Sequence, residues 1–116
     1  MFIKKKIKYN NELYNISVKV YPSKRLCLFL INKHNKIEVT IDLPDTKISD
    51  GLILIDPNVA NTNLINVLKK IRIIKEIVSV IGYNYVCVPI ARINFGKLRE
   101  YDNFGTNKYF EVRESV

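Results

Sequence analysis

Tryptophan is absent from this chain, histidine occurs once, cysteine twice, and the four glycines are scattered. Each shortage removes a class of chemistry. His34 is the single imidazole and sits in a predicted turn between Lys33 and Asn35, so histidine acid–base catalysis would rest on that one residue. Cys27 and Cys87 lie inside apolar runs (Leu26-Cys27-Leu28-Phe29 and Val86-Cys87-Val88) and read as small core hydrophobes, not as activated nucleophiles. There is no Cys-x-x-Cys pair, and one histidine does not complete a zinc site. Gly51, Gly82, Gly96 and Gly105 are spaced too widely for a dinucleotide fingerprint or a P-loop, so no nucleotide cofactor is expected.

Long hydrophobic runs are also missing. The longest are under ten residues, against the roughly 20 that a bilayer-spanning helix needs. The start, Met-Phe-Ile-Lys-Lys-Lys-Ile-Lys, has no apolar core or small-residue cleavage site of the secretory kind. The expectation is a cytoplasmic protein with free thiols and no membrane partner. Asp42, Asp45, Asp50 and Asp56 match no calcium-loop spacing, and carboxylates among turn residues ordinarily cap backbone, so no metal is expected. The chain reads as a non-enzyme.

What is present is a core-forming composition and a basic surface. The 116 residues suit one domain over 1–116, with 7 Tyr and 5 Phe adding to an aliphatic majority. The net charge of +8 is unevenly spread. Residues 1–36 hold nine Lys/Arg against Glu12, residues 37–60 hold five acids against Lys47, and residues 61–100 are basic again. An anionic partner fits that distribution.

Strand periodicity dominates. Over Phe2 to Tyr9 the apolar side holds Ile3, Ile7 and Tyr9, and the other side holds Lys4, Lys6 and Lys8. Asn10-Asn11 suits a tight hairpin. Tyr14, Ile16, Val18 and Val20 then face inward, and Pro22-Ser23-Lys24 breaks the strand. Leu26 to Ile31 is apolar on both faces, as a central strand is. Ile37, Val39, Ile41 and Leu43 make a fourth strand, with Glu38, Thr40 and Asp42 expected outside. After a loop, Leu52 to Ile55 is a short buried strand, and Asp56-Pro57-Asn58 leads to a helix from about Asn61 or Thr62 with Lys69 and Lys70 in its last turn. Its end is open, because Ile71-Arg72-Ile73-Ile74 fits either period. Ile77 to Ile81 and Tyr85 to Ile93 are strands around a Gly82-Tyr83-Asn84 turn, and Pro89 predicts an edge or a bulge for the second. The tail 101–116 is expected to be loose or to dock a short element. The fold class is α+β, a mainly antiparallel sheet of about seven strands, β-β-β-β-β-α-β-β, packed on one helix.

Basic residues interleaved with aromatics remain as the candidate site: Lys4, Lys6, Lys8, Lys24, Arg25, Lys33 and Lys36. Such a face holds a phosphate backbone or docks on an acidic protein surface. Lysines on an outer strand also guard against edge-to-edge aggregation, which needs no partner.

The run Thr40-Ile41-Asp42-Leu43-Pro44, then Ile55-Asp56-Pro57-Asn58, then Gly82 to Pro89, resembles a family of small uncharacterised proteins from low-GC bacteria, their phages and mobile elements. That family shows a T-x-N-L-P strand end, an I-D-x-N turn, a short helix and a G-x-x-x-Y-P strand. Here Asp42 replaces the usual Asn, Val88 stands for the Tyr, and the last spacing is longer. The similarity covers roughly residues 21–95. It implies no enzymatic activity. Its setting implies a phage or mobile-element accessory protein that counters host defence in the anti-CRISPR manner, by binding an effector protein or ribonucleoprotein. The alternative is a small basic nucleic-acid-binding protein.

Overall fold

A computed structural model describes residues 5–114, and Lys4 lies outside them. The α+β expectation holds, with seven strands in two antiparallel sheets and four helices among the described residues. The first sheet runs β1 (Lys6–Tyr9), β2 (Glu12–Val20), β3 (Leu26–Ile31), β4 (Lys36–Glu38), in that spatial order. Asn10 and Asn11 take positive φ of 51° and 62°, the left-handed pair that a two-residue hairpin demands. Period-2 patterning then aims Ile7, Tyr9, Tyr14, Ile16, Val18, Leu26, Leu28 and Leu30 into the main core.

The fourth strand differs from expectation. Only Lys36–Glu38 pairs regularly with β3, after which the chain crosses to the second sheet. The Val39 N–H still donates to the Leu28 carbonyl at 2.8 Å, while the Val39 carbonyl accepts from Asp56 N–H at 2.9 Å. Thr40 was expected outside and is 1% exposed. Its hydroxyl accepts the Leu28 N–H at 3.1 Å, replacing the ladder partner that β3 loses as the chain diverges. Residues 39–41 are therefore the seam of the molecule.

The second sheet is ordered β5 (Leu52–Leu54), β7 (Val86–Ile93), β6 (Ile74–Tyr83). Pro89 thus lies in a central strand, contrary to the edge expectation, and the register shifts fall in β6 at 74/76 and 77/79. The position is tolerated because β5 ends at Leu54. Ile55 N–H donates to the Pro89 carbonyl at 2.9 Å, and the ladder stops where the proline has no N–H to return. The hairpin turn is Asn84-Tyr85, both at positive φ, one residue later than expected.

Asp56 caps α1 (Pro57–Ala60), its carboxylate accepting the Asn58 N–H at 2.8 Å. α2 (Leu64–Lys70) follows as a separate helix with Lys69 and Lys70 in its last turn. It closes with Arg72 at φ 68° and the Ile73 N–H on the Leu68 carbonyl at 3.0 Å. This is a Schellman end built without glycine, which is why the sequence left the boundary open.

Two further helices close the described chain, α3 (Phe95–Tyr101) and then α4 (Asn103–Glu114), which takes up the segment expected to be loose or to dock a short element as far as Glu114. Asn94 caps the first, accepting the Lys97 N–H at 3.1 Å. Phe95, Tyr109 and Phe110 form an aromatic cluster with centroids 4.9–5.8 Å apart. The single-helix expectation failed because two of the three residues α4 buries are Gly105 and Thr106, which carry no hydrophobic signal.

Candidate functional site

Pairing register sets the outer face of the first sheet. One row crosses all four strands as Lys6, Asn15, Ile31 and Lys36, each the Cα partner of the next. With strands about 4.8 Å apart, Lys6 and Lys36 stand roughly 14 Å from each other. Lys8 and Leu13 pair beside that row, and Leu13 is 58% exposed. The next row toward the far end is Ser17, Phe29 and Glu38. Lys36 lays its ammonium 4.3 Å from the centre of the half-buried Phe29 ring, a cation–π contact that covers the aromatic face.

The end of this face nearest the Asn10–Asn11 turn carries a shallow groove of about 390 Å³ lined by Lys6, Glu12, Leu13, Asn15, Asn32, Lys33 and His34. Glu12 braces it. Its carboxylate accepts from Asn35 Nδ2 at 3.1 Å, Asn32 Nδ2 at 3.3 Å and the Tyr14 hydroxyl at 3.2 Å, tying the 32–35 turn to the first hairpin. Asn32 Oδ1 accepts the backbone N–H groups of His34 and Asn35 at 2.8 and 2.7 Å. Lys33 is thereby presented from a braced turn.

The seven basic candidates do not converge. Lys6, Lys8, Lys33 and Lys36 gather at the groove end, whereas Lys24 and Arg25 lie past Leu26, at the other end of β3 and roughly 17 Å away along the strand. Arg25 is occupied structurally, donating to the Leu43 carbonyl at 2.7 Å and to the Thr46 carbonyl. Lys24 holds the turn at φ 69°, its N–H on the Tyr21 carbonyl at 2.8 Å. The far end is closed by Tyr21, whose hydroxyl donates to Glu38 at 2.5 Å and lies 2.9 Å from Thr40 Oγ1. Burial first, and the Glu38 carboxylate second, push that phenol far above its ordinary pKa.

Cys27 is buried and its thiol is pushed up by burial, which makes it a poor nucleophile. Cys87, expected in the core, is exposed, because the second hairpin extends beyond the helices that cover its base. His34 is exposed at the groove. Three of the four acids are spoken for: Asp42 accepts from the Ser23 hydroxyl at 2.8 Å, Asp50 pairs with Arg113, and Asp56 caps α1. Among the described residues no group of three His, Cys, Asp or Glu is placed to hold a metal ion, and no helix is long and apolar enough to cross a membrane.

Exposed Leu13 and half-buried Ile31, neither of them among the seven basic candidates, turn a row of lysines into a mixed apolar and basic surface. Both share the lysines' strand parity, so the signal was present. No protein-family model, curated protein or solved structure matches the chain.

Proposed function

We propose that the protein acts by binding, without catalysis, and that the outer face of the four-stranded sheet is its contact surface. The partner is an acidic surface of a host defence effector protein or ribonucleoprotein, and occupancy of that surface inhibits it. The observation that carries this reading is the row Lys6–Asn15–Ile31–Lys36 with Leu13 and Lys33 beside it. Apolar centres rimmed by cations suit a protein surface, where burial supplies affinity and charge supplies the rate of encounter. The defence setting comes from the family resemblance; the chemistry comes from the face.

Direct nucleic-acid binding is the second reading, favoured by the same lysines and the +8 charge. Among the described residues this face offers no open stacking platform, since Phe29 is half-buried under Lys36. Affinity capture from host lysate, with and without nuclease, separates the two. The first reading expects a nuclease-resistant protein partner that is retained by Lys24→Glu and lost with Lys6→Glu/Lys33→Glu/Lys36→Glu. Capture unchanged by the triple substitution overturns the assignment of this face. Capture that nuclease abolishes, with a steep salt dependence on purified DNA or RNA, transfers the function to the second reading.

A further inference from the structure

The hairpin formed by β6 and β7 is a second surface, chemically unlike the first. From Ile77 to Ala91 there is no charged residue, the longest such stretch in a chain of net charge +8. Its base is closed by a neutral pair, Arg92 Nε to Glu76 Oε1 at 3.1 Å. Toward the tip both faces meet solvent: Val80 is 53% exposed, Tyr83 and Val86 are each 44% exposed, and Tyr85 and Cys87 are exposed. Among the described residues β6 pairs with β7 alone, so its other edge has no strand partner.

The orientation of that edge follows from the ladder. Pro89 turns its carbonyl to Ile55, toward β5, and Val80 is the residue opposite Pro89. Antiparallel partners face each other or face apart together, so Val80 directs its N–H and C=O away from β7. Gly82, two residues on, does the same. Edges of this kind are ordinarily blunted by lysine, proline or an inward charge, and Ile77–Tyr83 contains none of them.

We propose that this edge pairs with the same edge of a second copy, β6 against β6 antiparallel about a twofold axis near Ile81. Val80 of each copy then exchanges hydrogen bonds with Gly82 of the other, joining two three-stranded sheets into one of six. Charge selects this occupant. Two chains of +8 repel over most approaches, and the uncharged Ile77–Tyr83 edge lets them meet with the Arg92–Glu76 pair and the exposed Lys75 confined to the base of the hairpin, four or more residues from the twofold axis. An anionic partner, by contrast, has nothing on this surface to pair with. The pairing is independent of the lysine face, which stays open.

Sedimentation of the full chain at up to about 100 µM, where micromolar self-association is saturated, tests it. The expected result is twice the 13.5 kDa chain mass, returning to the single mass on Val80→Lys with unchanged circular dichroism. A nitroxide placed on exposed Cys87 reports geometry without altering the edge. The two labelled positions sit three strand spacings apart across the sheet and two residues apart along it, roughly 16 Å in all, and broaden each other's spectrum until diluted with unlabelled protein. A monomer throughout overturns the proposal and leaves the edge to a heterologous strand. A dimer that survives Val80→Lys and shows no broadening overturns it equally.

Discussion

The carboxylate of Asp102 accepts the backbone N–H of Val18 at 2.8 Å, joining two residues separated by 84 positions. The other carboxylate oxygen accepts the Gly105 N–H at 3.0 Å, so the group that caps α4 also seals β2 where β1 no longer pairs with it. Val18 is free to donate there because its opposite residue, Leu28, turns its own N–H and C=O toward Thr40 and Val39. One buried side chain holds the C-terminal helix on the sheet. Asp102→Ala removes a cap and leaves a buried N–H unpaired, and the expected loss is about 2–4 kcal/mol. Urea unfolding should show a lower midpoint with an unchanged slope.

Gly105 is needed at the same junction. A Cβ there would lie 2.5 Å from the Val18 carbonyl oxygen and press on Asp102. Gly105→Ala is expected to cost about 1–3 kcal/mol by overpacking against backbone that cannot yield. Gly82→Ala meets nothing within 4 Å and serves as the control, within about 0.5 kcal/mol of the parent. Equal thermal midpoints for the two variants would contradict this account of the helix docking.

The two thiols should separate cleanly. Cys87 is exposed, while Cys27 is buried and has its pKa raised by that burial. A disulfide reagent at neutral pH is expected to modify one thiol per folded chain and two after denaturation. Mass mapping should place the first on Cys87.

Glu100 accepts from Lys5 Nζ at 2.5 Å and pairs with Lys97 at 3.3 Å, and those ammonium groups hold its carboxyl below the usual 4.5. A depressed folded-state pKa means the stabilisation is complete above the unfolded value and is lost as pH falls through the folded one. The melting temperature of the parent should therefore fall more steeply below pH 4.5 than that of Glu100→Gln. Both partners are solvent-exposed, so the difference should be small and should shrink in salt.

Local rules made much of the fold legible. Alternation at Ile7, Tyr9, Tyr14, Ile16 and Val18, the Asn10-Asn11 turn, and Asp56 ahead of a proline each depend on neighbours within a few residues, and each stands in the structure as read. The parity that put Lys6 and Lys8 on one face is local too. Their meeting with Lys36 is not, because it depends on the register of three strand pairs.

Alternation in the sequence determined which side of each early strand is apolar, since successive side chains of an extended chain must point to opposite faces. Only the tertiary structure decided which strand lies beside which, and hence what a given side chain meets. Thr40 is buried because the chain changes sheets there, Pro89 is central because β5 stops beside it, and Cys87 is exposed because its hairpin extends past the helices. Asp102 gains its role only from β2, whose Val18 N–H its carboxylate accepts across 84 positions of sequence. Hydrogen bonds between distant segments carry no periodicity, so the residues that make them leave no pattern to read along the chain.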